Sequence, residues 1–431
     1  MCKQEHDAKI IQMLLEASDL AQVSYTNGSD PHLPIHSLCA NRELDDEAAL
    51  DILQLLLNRY PGWVREGTDE EGYLPLHCAV GDGNKSLEFC KILVDSYPES
   101  VKVRASEEAI NGGTLPIHEA CNGGRLETVK YLFDIYPDSI VATNGDGHFP
   151  IHCAAIGFSD VWLLAGGLDG VSDTRSYVSE IIEFVLSKDP NGASRATTDR
   201  QYPLHLACDT KEPNLDAVKV LYDANPEIIV KTNSSGHTPL SLARGHHIRY
   251  TNPPHTRPKT TDTSAFLEVQ LTYYQKAQDN ELLSTFDDDG RLPLHQALQE
   301  NAPLGSIKLL VNGNAAALQV ADKGGMLPLH IACKYGTVNV VRYLSEPFDG
   351  HLSMCDKKKN YPLHHACQGG NLEVIKYLLD KQSSAAVSER NVDDKLPLHL
   401  LLESDNVDRE SLRYTETIWQ LLLAYPAAVV V

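Results

Sequence analysis

The stretch Leu115-Pro116-Ile117-His118-Glu119-Ala120-Cys121-Asn122-Gly123-Gly124, continuing Arg125-Leu126-Glu127-Thr128-Val129-Lys130-Tyr131-Leu132-Phe133-Asp134-Ile135-Tyr136-Pro137, decides the fold. Proline suits the first turn of a helix, where its missing N–H would have had no partner. Ile117, Ala120 and Cys121 follow at three- and four-residue spacing and make a short apolar stripe. Gly123-Gly124 ends that helix in a left-handed turn. Leu126, Val129, Leu132 and Phe133 mark a second helix, which Pro137 stops. The following Asn144-Gly145-Asp146-Gly147-His148-Phe149 is turn-rich and fits a hairpin-like finger.

The same order of residues returns along the whole chain. Pro-[Leu/Ile]-His occurs at Pro34, Pro75, Pro116, Pro150, Pro203, Pro293, Pro328, Pro362 and Pro397, and a further copy, Pro239-Leu240-Ser241, ends in Ser. A unit recurring near every 34 residues means a stacked array rather than one globule. Function is then sought on a long exposed surface instead of in a catalytic pocket.

This helix–turn–helix–finger unit resembles the ankyrin repeat, whose signature is Thr-Pro-Leu-His-x-Ala. The resemblance covers about Pro31 to Val431. It implies an all-α, ankyrin-type helical-repeat solenoid of about ten repeats with short hairpin-like fingers, and a motif His that ties a helix start to neighbouring backbone. One departure is systematic. The family's Thr before the proline appears only as Thr238, and elsewhere the position holds Leu, Phe or Tyr. Losing a Thr cap costs about 1 kcal/mol, which an apolar residue is expected to recover by packing on the neighbouring repeat. Residues 1–30 read as an N-terminal capping helix and linker, with Ile10, Met13, Leu14, Ala17 and Leu20 on one face of a helix over 3–23. Residues 31–431 read as the repeat array.

With 42% apolar and 22% charged residues the composition is that of an ordered protein. A formal net charge of -22 disfavours nucleic acid and anionic membrane as partners and favours basic ones. No segment has the roughly 18 consecutive apolar residues of a membrane span, and the start Met1-Cys2-Lys3-Gln4-Glu5-His6-Asp7 is too polar for a secretory signal. A cytoplasmic or nuclear setting follows as the expectation. Five cysteines (Cys39, Cys121, Cys208, Cys333, Cys367) occupy one repeat position, three residues after the motif His, and read as small buried residues of a reduced protein.

Insertions interrupt the period near 166–178 and 245–262, with smaller acidic ones near Glu43–Glu47 and Glu403–Glu410. Between Arg244 and Thr261 the chain carries Arg244, Arg249, Arg257 and Lys259, three His and no acid. Two readings stand: a docking loop for an acidic peptide or phosphate, or a solvated loop over Asp287, Asp288 and Asp289. The sixth repeat also loses the motif His. A nearest-neighbour-coupled array should be weakest there, dividing repeats one to five from seven to ten, with least hydrogen-exchange protection around residues 241–265.

His and Cys three apart on one helix raise a metal reading. Successive pairs sit about 8–10 Å apart, too far to share one zinc ion at bonds of about 2.0–2.3 Å. No metal and no cofactor are expected. Phosphate-loop, nucleophile-elbow and zincin motifs are absent. The expected activity is non-catalytic protein–protein recognition by a monomer, on a concave face made by fingers and first helices. Tyr73, His148, Arg291, Met326 and Asn360 before the motif, and Glu119, Gln296 and His365 after the motif His, are the expected exposed contacts. Arg249, Arg257 and Lys259 join them if the basic loop docks a partner. The alternative is a regulatory subunit that inhibits or positions an enzyme through residues 244–259. An enzyme hidden in the insertions lacks clustered nucleophile, base and oxyanion donors.

Overall fold

The structure, a computed structural model, describes residues 33–426 apart from 43, 69–71, 82–84, 107–111, 158–173, 211–212, 251–261, 348 and 382–384. The expected helix at 3–23, most of the fourth-repeat insertion and the residues 427–431 lie outside the described residues.

Each of the ten motif prolines is the first residue of a helix. Nine of these first helices are six to eight residues long. Each is followed by a second helix, for example Leu126–Ile135, Leu304–Gly313 and Leu372–Lys381. No strand occurs among the described residues. First helices bury their stripe of small and branched residues (Ile117, Ala120, Cys121; Leu363, Ala366, Cys367). Second helices supply larger ones, such as Phe89 and Leu93 or Ile375 and Leu378. The cysteines at the repeated position are buried free thiols. Burial pushes the thiol pKa up throughout this set.

The residue before each proline explains the loss of the Thr cap. Leu74, Leu115, Leu292, Leu327 and Leu396 are buried, a gain of roughly 1.5–3 kcal/mol each against about 1 kcal/mol for a lost cap. The helix start still has hydrogen-bond partners. The motif His Nδ1 accepts the N–H of this apolar residue, at 3.1 Å for Leu74 and His77 and 3.0 Å for Leu327 and His330. Where Thr is kept, its Oγ1 accepts the N–H of Ser241 at 3.2 Å.

Three local expectations change. Pro137 does more than stop a helix: the second helix ends at Ile135, and Pro137–Val141 continues as a 3-10 turn that buries Ser139 and Ile140. Pro98 and Pro226 open the same turn, because a fixed φ suits any helical first turn. In repeat six the first helix runs on to Tyr250, so residues 245–250 are helix rather than inserted loop. Gly245 lies inside it in open space. In repeat four, residues 174–178 open the second helix, Thr174–Lys188. Acids near 43–47 also have a structural use, since the Asp45 carboxylate caps Asp46–Arg59 by accepting the Ala48 N–H at 2.8 Å.

The fingers share one turn. The backbone N–H of its first residue donates to the carbonyl four residues on, and the side-chain oxygen of that first residue accepts the N–H of the same residue. Asn144 and His148, Asn233 and His237, Asp287 and Arg291, Asp322 and Met326, Asp356 and Asn360, and Asn391 and Lys395 are all joined this way. This is the Asx-turn chemistry that short polar side chains favour.

By its internal contacts the chain divides into two compact bodies, residues 1–266 and 267–431. In the N-terminal body, motif His residues link successive repeats: His77 Nε2 to Thr114 O, His118 to Ala142 O and His152 to Gln201 O, all at 3.1–3.2 Å. In the C-terminal body His295 reaches Val320 O and His330 reaches Met354 O, both at 3.0 Å. Since Nδ1 accepts an N–H, the ring proton sits on Nε2 and is donated to the next finger. Both ring nitrogens are thereby engaged in backbone bonds. Among the described residues no three His, Cys, Asp or Glu side chains group as metal ligands.

Candidate partner-binding cleft

Within the C-terminal body the first helices Pro293–Gln299, Pro328–Tyr335 and Pro362–Gly369 pack side by side. Their fingers are linked tip to tip. The Lys323 N–H donates to Asp289 O at 2.9 Å, Lys357 to Gly324 O at 3.1 Å and Val392 to Lys358 O at 2.9 Å. Close approach of the helices depends on glycine, since a Cβ on Gly369 would run into the Lys334 backbone.

A small cleft of about 60 Å³ opens between these elements. Arg291 and Met326 enter it from the bases of two fingers, and Gln299 from the end of one first helix. His330, Ile331, Lys334 and Tyr335 come from the next helix and His365 from the third. Tyr335 is 43% exposed, with the Lys334 ammonium 5.1 Å from its ring centroid.

Two buried carboxylates orient Arg291 and His365. Asp322 and Asp356 are the first residues of their finger turns and are nearly inaccessible. Arg291 Nε lies 3.6 Å from Asp322 Oδ2, too long for a hydrogen bond, and its Nη1 lies 3.3 Å from Asp289. Arg291 Nε therefore has no hydrogen-bond partner among the described residues. His365 Nε2 is 3.0 Å from Asp356 Oδ2. Burial works against ionisation of Asp356, but the hydrogen bonds from His365 and the Asn360 N–H outweigh it and hold the pKa at about 2. His365 stacks edge-to-face on His330, with ring centroids 5.3 Å apart. Burial first, and then His365, lowers the His330 pKa to about 4, so that ring is neutral. His365 Nδ1 is buried with no hydrogen-bond partner among the described residues.

The expected contact residues divide into groups. Arg291, Met326 and His365 meet in the cleft. His365 is not the exposed contact it was expected to be: it is only 4% exposed, because the buried Asp356 carboxylate of its own finger holds it inward. Tyr73, Glu119, His148, Gln296 and Asn360 are half-buried. Several of these have intramolecular partners. The Tyr73 hydroxyl donates to Glu119 at 3.4 Å, and Gln296 donates to Asp287 at 3.1 Å. Asn360 donates to Asp356 and accepts from Asn391, while His148 stacks on His152. Arg249 falls on the helix Pro239–Tyr250, and Arg257 and Lys259 lie outside the described residues.

Lys334 and Tyr335 escaped notice in the sequence. The signal was there: Tyr335, the last residue of its first helix, stands where other repeats carry Gly123 or Gly369, so a bulky side chain replaces an architectural glycine.

Comparison with known proteins agrees with this geometry. The Ankyrin repeats family model matches in three copies, at residues 267–352 and 348–422. The probable 26S proteasome regulatory subunit p28 of Saccharomyces cerevisiae is 27% identical over 225 residues, which cover 49% of this chain and 80% of that protein. The transient receptor potential cation channel subfamily A member 1 of Drosophila melanogaster is 29% identical over 93 residues, 20% of this chain and 7% of that protein. Among the described residues no helix is long and apolar enough to cross a membrane. Paired helices, histidine-to-carbonyl links between them and the family match converge: residues 267–422 are ankyrin repeats.

Proposed function

We propose that this chain is a non-catalytic protein-interaction module, an adaptor or scaffold that holds a protein partner on the face made by its first helices and fingers. The observation that carries this reading is the cleft between repeats seven and nine. There Tyr335 stands exposed, and Arg291 Nε and His365 Nδ1 have no hydrogen-bond partner among the described residues. The repeats before 267 share the motif prolines and histidine links, and we read them as the same repeat, about ten in all. Such a chain works as a monomer in the cytoplasm or nucleus and recognises protein surfaces by shape and hydrogen bonding, without a cofactor.

Similarity to the yeast proteasome regulatory subunit favours a second, narrower reading: a regulatory subunit that positions or restrains an enzyme assembly, with the basic 244–259 segment as its contact. Affinity purification of the intact chain, and of a chain with residues 244–259 replaced by a Gly/Ser linker, separates the two. Proteasome subunits recovered with the intact chain and lost with the linker support the narrower reading. A partner retained by both chains supports the scaffold reading alone. Recovery of no stoichiometric protein by either chain defeats both.

A further inference from the structure

Fingers of the C-terminal body differ sharply in charge. Asp287, Asp288 and Asp289 make one acidic turn, and Asp393 and Asp394 another. Between them the two middle fingers carry Lys323 and then Lys357, Lys358 and Lys359, all exposed. Lys323 Nζ donates to Asp288 O, and Lys357 Nζ to Lys323 O at 2.8 Å, so these two ammonium groups are held along the finger row without a carboxylate partner among the described residues. Lys358 and Lys359 make no ion pair among the described residues. The same two fingers meet the cleft, through Met326 beside Lys323 and through Asp356, which holds His365. Lys334 extends the positive run into the cleft, next to the apolar wall of Met326, Ile331 and Tyr335.

We propose that this cleft and its two basic fingers dock an acidic peptide segment of a protein partner, with one bulky apolar side chain of that segment against Met326 and Tyr335. The proposal deepens the interaction reading and rests on it. Neighbouring repeats are spaced about 10 Å, so the basic field spans roughly 10–20 Å, which is about three to six residues of extended chain. Asp288 on one side and Asp393 on the other set both ends of that length by repelling a longer acidic run, while Asp289 and Asp394 are ion-paired with Arg291 and Arg390. A short peptide also fits better than a polyanion. Its charges lie within a Debye length of about 8 Å of the lysines, whereas RNA or an anionic membrane also meets the wider field of a chain of net charge -22.

The test uses the full chain and fluorescence anisotropy at about 0.15 M salt. The probes are a labelled peptide with four Asp/Glu around one Phe, its Asn/Gln counterpart and its Lys counterpart. The acidic peptide should bind at least about tenfold tighter than the neutral one. Lys334→Glu with Lys358→Glu should abolish that preference without changing the melting curve, and Tyr335→Ala should weaken binding severalfold. Equal binding of acidic and neutral peptides, or binding that survives the double substitution, overturns the proposal. So does tighter binding of poly(U) or phosphatidylserine vesicles that the same double substitution removes. A cellular partner retained by the double variant defeats the cleft but leaves the interaction reading standing. Peptide binding without any cellular partner defeats the reading and leaves the cleft.

Discussion

Arg200 occupies a backbone conformation that four other finger turns give to glycine. Its φ is 55°, and the equivalent residues are Gly147, Gly236, Gly290 and Gly325, at 73° to 82°, with Lys359 and Asp394 at 59° and 61°. A side chain there costs about 1–2 kcal/mol, of which glycine's greater freedom in the unfolded chain offsets about 0.5–1 kcal/mol. Arg200→Gly should therefore raise stability by about 0.5–1 kcal/mol, and Arg200→Val should lower it. Urea denaturation of both variants checks this, and a glycine variant weaker than the parent would refute it. The position was legible in the repeated Gly. The residue that shapes the turn is the Asp or Asn three places earlier, and its type alone does not say whether the side chain is solvated or bonded to backbone. Only the paired distances to backbone N–H groups give it a role.

At the scale of the element, the short first helix depends on its histidine twice: Nδ1 satisfies its own N-terminus, and Nε2 joins the next finger. Burial lowers the pKa of His77 and His118 to about 4 and that of His152 to about 3. An unfolded His titrates near 6.5. Above that value both states are neutral and the helices keep their full stability. As the pH falls from 6.5 towards 4 the unfolded chain gains protons that the folded one refuses, and stability is lost by up to about 1.4 kcal/mol per pH unit for each histidine. Asp356 does not counter this loss, since its depressed pKa of about 2 affects stability only below the usual carboxylate range. The melting temperature should be lower at pH 5.0 than at pH 7.5 by roughly 5 °C or more. Calorimetry showing equal melting at the two values would contradict the neutral, doubly bonded histidine. The count of Pro-[Leu/Ile]-His motifs showed that these helices exist. That the histidine stands in for the missing Thr cap needed the spatial position of Nδ1.

For the whole molecule, the sixth repeat is where the sequence pattern breaks, through Ser241 and the following basic run. The division of the chain into two bodies falls beside it, between Phe266 and Leu267 and inside the helix Asp262–Gln278. A nearest-neighbour array tolerates cutting at a weak interface. A fragment of residues 262–431 should be helical by circular dichroism and should unfold cooperatively in urea. A fragment that is random coil at 10 °C would mean that the C-terminal repeats depend on those before them. Read alone, the sequence determined the helix pairs, their order and the buried stripe, because each follows from apolar spacing and from proline and glycine within one 34-residue unit. Tertiary structure alone decided the cleft. Arg291, Lys334 and His365 come from three different repeats. Whether their side chains face solvent or a buried carboxylate depends on how neighbouring fingers stack, and repeat spacing does not encode that.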